Sequence, residues 1–386
     1  MKKRTWFQSF LSFVIILGIS SLLYLYTAGY RLTKKDNKQI DLTKTGMISA
    51  KSIPQGASVY LNGILITASN DTISGIEPGN HAIKIVKKGF VTWGKNIEIF
   101  PELVTDITAV LVSQSPRLEP LTNTGALLPS ISPSLTKLAY FSKDPENPGV
   151  KIISLTGDST PNLFRSSATT VLKDTPYNIY SDGTKIEWSP DEKFLIVYGN
   201  LLNQYYVVNT EKNTAEITTT PELVKKEWLT KLSAKREDYL QKVEIPENIK
   251  TLAINPESVW SPDEKKFLFK KVVDANTEYR VYNTEKPLPV GEKEETLVFT
   301  TKSSDPQPKV SWYADSFHLI LTEGSIATNQ RGSISIVRID GTNKTELYNG
   351  ALYSDQAFSS PNGDKIIIST SFKSGEQSDL YTVSLR

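Results

Sequence analysis

The sequence of 386 residues contains no cysteine and only two histidines, His81 and His318. The lack of cysteine excludes disulfide bonds, thiolate metal sites and cysteine nucleophiles. Zinc sites and Ser-His-Asp triads need imidazole at defined places, and two histidines offer little of it. We therefore predict no catalytic residue, no metal site and no cofactor, and we expect the protein not to be an enzyme.

An excess of charge of either sign is also missing. The 44 Lys and Arg residues nearly balance the 42 Asp and Glu residues, which leaves a net charge of +2. Nucleic acid is therefore excluded as a predicted partner, because its recognition needs a concentrated basic surface. Hydrophobic residues make up 39% of the chain, enough to build the cores of two or three domains.

One long apolar run stands near the N-terminus. The segment "FLSFVIILGISSLLYLYTA", Phe10–Ala28, has no charged residue and spans about 28 Å as a helix, close to the hydrocarbon thickness of a membrane. A cleaved signal peptide is the alternative, but the run is long for one and Thr27 and Gly29 form a poor cleavage site. We predict a cytoplasmic stub and transmembrane helix over residues 1–30, followed by a linker over 31–46. Basic residues flank both ends, so charge alone does not set the orientation.

Short alternating runs then fill residues 47–113. Asn62-Gly63 lies between two apolar half-strands and predicts a type I′ hairpin, because both residues tolerate a positive φ. Further segments place apolar residues at every second position, as Ile83 and Ile85 do. This pattern predicts a small antiparallel β-sandwich.

Three stretches of this region resemble the signature of the PEGA domain: "SIPQGASVYLNG", "IEPGNHAIKI" and "KKGF". Gln55 replaces the glutamate of the family name, and Phe90 stands where tyrosine is usual. The resemblance implies a cell-envelope module that binds or scaffolds and has no catalytic residue.

Two residues of this region have a functional and a structural interpretation. His81 follows a turn and has no second histidine within ligand spacing, so we interpret it as a structural strand residue. Trp93 lies beside Gly94, where it could stack on a sugar ring or cover the end of the sandwich. We favour coverage and keep Trp93 as a candidate ligand contact.

The pentapeptide "WSPDE" occurs at Trp188–Glu192 and again at Trp260–Glu264. Related segments begin at Ile131, Trp312 and Ser359, so the pattern recurs five times, each time followed by a strand-like run. Pro fixes φ in the turn and Asp bonds its own backbone, which predicts a hairpin connector rather than a binding site. Short antiparallel strands in such repeats are typical of β-propeller blades.

The repeats resemble those of TolB-type β-propellers, whose turn reads Ser-Pro-Asp-Gly, although Glu192 and Glu264 replace the glycine here. We therefore predict an all-β chain: a transmembrane helix, a PEGA-like sandwich, and a propeller of about five to six blades over residues 117–386. The chain ends on a third blade strand, so we predict that residues 116–122 pair with residues 379–385 to close the ring.

Trp188, Trp260 and Trp312 occupy equivalent positions in the repeats. Equivalent positions usually pack between blades, which favours a core role over an aromatic ligand platform, and we keep all three as candidate contacts. We interpret Asp191, Asp263 and Asp315 likewise as turn residues rather than calcium ligands.

Residues 220–243 interrupt the repeats with a helical pattern. Thr220 is a good N-cap before Pro221, and apolar residues recur on one face: Val224, Trp228, Leu232, Tyr239 and Val243. We predict a helix docked on the propeller, with a partner-docking helix as the alternative.

Together these features predict a single-pass membrane protein with most of the chain outside the cytoplasm. We expect it to bind or scaffold a surface glycan, peptidoglycan or protein partner. The alternative is a glycosidase or other envelope hydrolase that uses carboxylates in the propeller channel.

Overall fold

The computed structural model describes residues 2–34, 40–156, 168–201, 204–372 and 377–386. The chain forms two compact units. The first runs to Leu111 and includes residues 289–292, and the second comprises residues 112–288 and 293–386. Each unit has its own hydrophobic core, so we describe the two separately.

The first unit begins with helix α1, Lys2–Thr27. Its segment Phe10–Thr27 is long and apolar enough to cross a membrane, and none of that segment is buried in protein. The helix therefore fits a signal anchor or a single-pass span. Arg31 follows it, stacks on the Tyr26 ring at 3.8 Å and donates hydrogen bonds to the Tyr26 and Tyr30 carbonyls. A cation at this position satisfies carbonyl groups that a helix C-terminus leaves unpaired.

A two-stranded hairpin follows α1, formed by β1 (Tyr30–Lys34) and β2 (Ile40–Lys44). The sequence analysis predicted a linker over 31–46, and these two strands occupy part of that range. Charged residues interrupt their apolar alternation, so the local pattern is weak, and the pairing of the two strands supplies the order instead.

Two sheets form the sandwich of the first unit. Their strands are β3 (Gly46–Ile53), β4 (Ser58–Leu61), β5 (Ile64–Ala68), β6 (Asp71–Ile76), β7 (Gly79–Val86), β8 (Trp93–Ile99) and β9 (Val104–Val110). One sheet has the order β6-β3-β9 and the other β5-β4-β7-β8. Because β3 and β9 run parallel, the prediction of a purely antiparallel sandwich is wrong for this pair.

The predicted hairpin at Asn62-Gly63 is confirmed. Both residues have a positive φ, 50° and 84°, and they join β4 to β5. Alternate side chains of the strands point inward, and Ile48, Val59 and Ile85 are fully buried between the sheets. The sandwich core is therefore built by the period of two that the sequence displays.

Over its described residues the second unit contains five four-stranded sheets, which we call blades 1 to 5. The first strand of the unit, β10 (Leu118–Pro120), is the outer strand of blade 5, whose other three strands come last in the unit. Blade 1 comprises β11 (Leu127–Ile131), β12 (Lys137–Ser142), β13 (Gly149–Ser154) and β14 (Thr169–Lys173). Blade 2 comprises β15 (Lys185–Trp188), β16 (Phe194–Tyr198), β17 (Tyr205–Asn209) and β18 (Thr214–Thr218). A short 3-10 helix, Tyr180–Asp182, precedes β15.

Two helices separate blade 2 from blade 3: α2 (Pro221–Gln241) and α3 (Glu247–Ile254). Blade 3 comprises β19 (Val259–Trp260), β20 (Lys266–Val273), β21 (Asn276–Asn283) and β22 (Glu295–Lys302). Blade 4 comprises β23 (Lys309–Trp312), β24 (His318–Ser325), β25 (Arg331–Arg338) and β26 (Thr345–Ala351), with the short helix α4 (Ile326–Asn329) after β24. Blade 5 is completed by β27 (Phe358–Ser359), β28 (Lys365–Thr370) and β29 (Asp379–Ser384). The antiparallel blades follow one another in chain order, as in a β-propeller, and the predicted fold class is confirmed.

The predicted ring closure is also confirmed. The order of the last sheet is β10-β29-β28-β27, so a strand from the start of the unit completes the blade at its end. Leu118 lies opposite Val383, and Pro120 lies opposite Tyr381. Next to this ladder, the Leu121 amide donates to the Leu380 carbonyl at 2.8 Å. Because β10 pairs with β29, the backbone of β29 has no unpaired edge over the residues of this ladder.

Separate hydrophobic clusters fill the spaces between blades. One joins blades 1 and 2, another joins blades 3 and 4, and a third joins blade 5 to blade 1. Against blade 3, on the side of the insertion, the cluster is instead formed with α2 and α3 and includes Leu240, Ile249 and Phe267. The helical insertion therefore covers an apolar blade surface, as an adjacent blade does elsewhere in the ring.

Candidate interaction surface

The repeated turns have one common backbone geometry. In each, the residue at the glycine position of the TolB-type pattern has a positive φ between 56° and 64°: Leu135, Glu192, Glu264, Ser316 and Gly363. In each, its amide also donates to the carbonyl three residues earlier, at 2.9 to 3.1 Å. Only one of the five is the glycine that this conformation prefers. The repeated pentapeptide is thus a hairpin connector, which confirms the structural interpretation.

The aspartates of these turns bond within the turns themselves. Asp191 accepts hydrogen bonds from the Ser189 hydroxyl at 2.6 Å and the Lys193 amide at 3.2 Å. Asp263 accepts from the equivalent positions in blade 3, the Ser261 hydroxyl and the Lys265 amide. The Oδ1 atom of each aspartate therefore holds the chain reversal, as the sequence predicts. Among the described residues, no group of three or more His, Asp or Glu side chains is arranged to hold a metal ion.

Blade 4 varies this arrangement with a buried histidine. Asp315 accepts hydrogen bonds from the amides of Phe317 and His318 at 2.8 and 3.0 Å, and its second oxygen lies 2.7 Å from His318 Nδ1. Burial opposes ionisation of this carboxyl, but His318 and the two amides outweigh burial and hold the pKa of Asp315 below its usual value. The ionised form of Asp315 therefore stabilises the folded state.

We expect the Asp315→Asn variant to lose more stability at pH 7 than at pH 3. A carboxyl whose pKa is lower when folded contributes stability above its unfolded pKa, and this contribution is lost as the pH falls through the folded value. Urea midpoints of wild type and variant at both pH values measure the difference. Asp305→Asn, at an exposed position, is the control. An equal loss at both pH values would contradict an ionic role for Asp315.

Each repeat tryptophan binds a backbone carbonyl of a neighbouring element. Trp188 Nε1 donates to the carbonyl of Ser130 in blade 1 at 2.9 Å, and Trp312 Nε1 donates to that of Val259 in blade 3 at 2.8 Å. These two indoles link adjacent inner strands of the ring. Trp312 is only 4% exposed, whereas Trp188 and Trp260 are half-buried.

Trp260 uses the helical insertion in place of a blade. Its Nε1 donates to the carbonyl of Ala253 in α3 at 2.8 Å, and Arg236 of α2 lies 5.2 Å above the ring. Burial lowers the pKa of Arg236 to about 10. For Trp188 and Trp312 the acceptor carbonyl belongs to the inner strand of the preceding blade. For Trp260 the insertion supplies the carbonyl instead.

Trp93 lies inside the sandwich rather than on its surface. It is 3% exposed and belongs to the core between the two sheets. Its buried Nε1 has no hydrogen-bond partner among the described residues. A ligand could reach Trp93 or Trp312 only if the surrounding residues moved, and ligand contacts at all four tryptophans stay predictions.

The two histidines have structural partners. His81 Nδ1 lies 2.9 Å from the Asn62 side-chain nitrogen, and Nε2 lies 2.7 Å from the Glu77 carbonyl oxygen. The neutral tautomer with a proton on Nε2 satisfies both contacts, so His81 ties two turns together. His318 is buried and pairs with Asp315 as described above.

Helix α2 is exposed over most of its length. Of its 21 residues only Pro221 and Leu240 are buried, and Leu223 and Leu229 are 63% and 44% exposed. A shallow groove of about 480 Å³ runs along its outer face. The groove is lined by Glu222, Lys225, Lys226, Leu229, Thr230, Ser233, Ala234 and Glu237.

The helix differs in part from its sequence prediction. Tyr239 of the helix and Val243 beyond its end pack against the blade 3 cluster, in agreement with a helix docked on the propeller, and Lys231 pairs with Glu227 at 2.7 Å. Thr220 precedes the helix, but its side chain makes no capping hydrogen bond, so the predicted N-cap is wrong in this respect. Proline at the first helical position is nevertheless common, because its fixed φ suits the start of a helix.

The N-terminal half of α2 is tied to blade 2 by charge. Lys225 Nζ lies 3.3 Å from a Glu187 oxygen, and Tyr198 donates a hydrogen bond to Glu187 at 2.6 Å. Partial burial opposes ionisation of Glu187, but its contacts with Lys185, Tyr198 and Lys225 lower its pKa overall. Sequence reasoning missed this cluster, because its members come from three elements, β15, β16 and α2, and share no motif.

Helix α3 was also absent from the sequence prediction. It spans only eight residues, a length at which a helical pattern is a weak signal. Its apolar residues Ile249 and Ala253 lie four positions apart, which is the one signal that could have revealed it.

The PEGA domain family matches residues 45–115 of this chain, which include every strand of the β-sandwich from Gly46 to Val110. No curated protein matches the sequence. Among solved structures, TolB from Acinetobacter baumannii is similar over 85% of this chain, with 12% identity and a TM-score of 0.27. This chain covers 63% of that TolB, less than two thirds of its length.

Oligogalacturonate lyase from Vibrio parahaemolyticus is similar over 71% of this chain and 94% of its own, with 9% identity and a TM-score of 0.29. Similarity at this level identifies neither a ligand nor a reaction for this chain.

Proposed function

We propose that this protein is a membrane-anchored binding or scaffolding protein of the cell envelope, with the sandwich and the propeller on the extracytoplasmic side. Its partner is a protein, recognised through the exposed face of α2. In this proposal the blades form a rigid support, and the insertion gives the support its specificity.

The observation that carries this proposal is the contrast between the repeats and the insertion. Aspartates and tryptophans at equivalent repeat positions are engaged in turns and in contacts between neighbouring elements. The outer face of α2 instead leaves leucines exposed beside charged side chains. Apolar residues surrounded by a charged rim suit a protein partner, whereas a sugar would need an exposed aromatic face. The PEGA domain and the apolar N-terminal helix support a place in the envelope.

We expect the full chain to remain in the membrane fraction after a carbonate wash, because extraction of the Phe10–Thr27 segment would expose its apolar surface to water. Immunoblots of the pellet and supernatant measure this. A variant without residues 2–28 is the control and should be released. A soluble wild-type chain that begins near Gly29 or Tyr30 would show a cleaved signal peptide instead.

The choice of partner is tested with the full chain in detergent. The protein is incubated in parallel with purified sacculi, a glycan panel and solubilised envelope proteins. We expect one envelope protein to bind the wild-type chain. It should not bind the Leu229→Glu variant, which changes an exposed position on α2. Ile217→Glu, at a 69% exposed site on β18, is the matched control and should retain the partner.

Other results would contradict the proposal. Binding to sacculi or glycans that is equal in wild type and Leu229→Glu would assign recognition to another surface and another class of ligand. Release of reducing sugar ends by the wild-type chain would favour the alternative of an envelope hydrolase.

A further inference from the structure

The groove along α2 contains two charged side chains that the chain itself does not pair. Four charged residues line the groove: Glu222, Lys225, Lys226 and Glu237. Glu222 lies 3.9 Å from Lys225, and Lys225 also contacts Glu187 at 3.3 Å. Over the described part of the chain, the exposed side chains of Lys226 and Glu237 form no ion pair and no hydrogen bond. The groove therefore presents one unpaired cation and one unpaired anion.

Lys226 and Glu237 lie at opposite ends of the same helix face. They are three helical turns apart, which is about 16 Å along the axis of α2. Uncharged and mostly small side chains line the groove between them: Leu229, Thr230, Ser233 and Ala234. The separation of two packed helices depends on the side chains at their contact, so these small residues allow another helix to approach closely.

The order of the charges determines which surface fits the groove. In the direction from Lys226 to Glu237, a complementary surface has to present an acidic group, then small uncharged residues, then a basic group. The groove itself has this order when it is rotated by 180°. An antiparallel pair of α2 helices centred on the groove places Lys226 of each copy opposite Glu237 of the other, and Thr230 opposite Ser233. A two-fold axis forms both charge contacts at once, whereas a parallel pair would oppose like charges.

We propose that α2 pairs with α2 of a second copy in this antiparallel register, through two Lys226–Glu237 ion pairs and the small residues between them. The inference rests on the proposed function, in which the exposed face of α2 recognises a protein, and it identifies that protein as a second copy of this chain. Exposed ion pairs contribute little individually, so we expect a reversible dimer.

The absence of native cysteine allows oxidation to trap this dimer. Two preparations of the full chain in detergent, with different affinity tags, are mixed and oxidised mildly. One carries Thr230→Cys and the other carries Ser233→Cys, because these positions face each other in the proposed register. We expect a covalent dimer with both tags on a non-reducing gel. Ile217→Cys in both preparations, at an exposed site on β18, is the control for random collision and should give roughly tenfold less dimer.

Charge reversal tests the register. Lys226→Glu in both preparations places two acidic groups together at each end, and we expect roughly tenfold less dimer, because like charges oppose association. Glu237→Lys in both preparations should have the same effect. Lys226→Glu in one preparation and Glu237→Lys in the other restores opposite charges at both ends, so these two should cross-link when mixed although each fails alone.

Two further variants separate the register from net charge. Lys226→Glu combined with Glu237→Lys in one chain leaves the net charge unchanged and exchanges the two ends, so this variant should cross-link as wild type does. Lys231→Glu makes the same charge change as Lys226→Glu at an exposed position of α2 outside the groove. We expect no loss of dimer from Lys231→Glu in both preparations.

Cross-linking no greater than that of the Ile217→Cys control, or unchanged by either charge reversal, would overturn the self-pairing. An envelope protein that is lost with Leu229→Glu would in that case still support the proposed function, with a different protein as the occupant of α2. If the self-pairing is correct, the protein captured in that experiment is this chain. Failure of the cross-link together with the absence of any partner that depends on Leu229 would reject both proposals.

Discussion

Deletion of residues 117–121 is expected to lower the melting temperature by about 10 °C or more and to broaden the transition. The deletion removes β10, the outer strand of blade 5, and with it several backbone hydrogen bonds worth about 1 kcal/mol each. It also exposes the edge of β29, including the Leu380 carbonyl that accepts from Leu121. Differential scanning calorimetry of the full chain measures both changes.

The comparison variants separate ring closure from local damage. Deletion of residues 380–386 removes most of β29, which also pairs with β28 and buries Leu380 and Val383, so it should cost more than the loss of β10. Glu119→Gln loses only an exposed ion pair with Lys365 at 3.2 Å and should cost less than about 1 kcal/mol. Amides of residues 118–121 that exchange with solvent as fast as an unfolded chain in the intact protein would show that the closure is not stable.

Trp312→Ala is expected to destabilise the second unit by about 3 to 5 kcal/mol, which urea denaturation measures. The indole is 4% exposed and fills the core between blades 3 and 4. Its removal leaves a cavity there and frees the Val259 carbonyl, which accepts the indole N–H. An unchanged denaturation midpoint would show that the ring does not support this packing.

Related substitutions separate the contribution of the hydrogen bond from that of the buried ring. Trp312→Phe keeps an aromatic ring but loses the hydrogen bond, so a smaller loss of about 1 to 2 kcal/mol is expected. Trp188→Ala and Trp260→Ala should cost less than Trp312→Ala, because both rings are half-buried. If all three alanine variants kept the wild-type midpoint but lost a ligand, the tryptophans would form a binding platform.

The repeats show which features of the fold the local sequence pattern could predict. A turn that needs a positive φ was recognisable at Glu192 although glycine is absent there, because Ser, Pro and Asp precede it. The closing strand was predictable because the last repeat ends one strand short, and a propeller leaves one place for the missing strand. Both inferences depend on spacing along the chain, which a sequence displays directly.

The exposed surface of α2 was harder to predict from the sequence. The pattern around Trp228 and Tyr239 predicted that α2 exists but not that most of it stays exposed. The contact between Lys225 and Glu187 joins a helix to an inner blade strand that is distant in the sequence, and no motif connects them. Such contacts follow from the relative positions of folded elements rather than from neighbouring residues.

The sequence by itself determined the elements that depend on local backbone preference and on periodicity: the apolar helix, the Asn62-Gly63 hairpin and the five repeated turns. Only the tertiary structure decided the partners of these elements. It paired β3 with β9 in parallel, gave Trp260 an acceptor in α3, and left β5 at a free edge. The physical reason is that residue types fix local dihedral angles and alternation, whereas partners are chosen when separate segments compete to bury the same apolar surface and satisfy the same backbone groups.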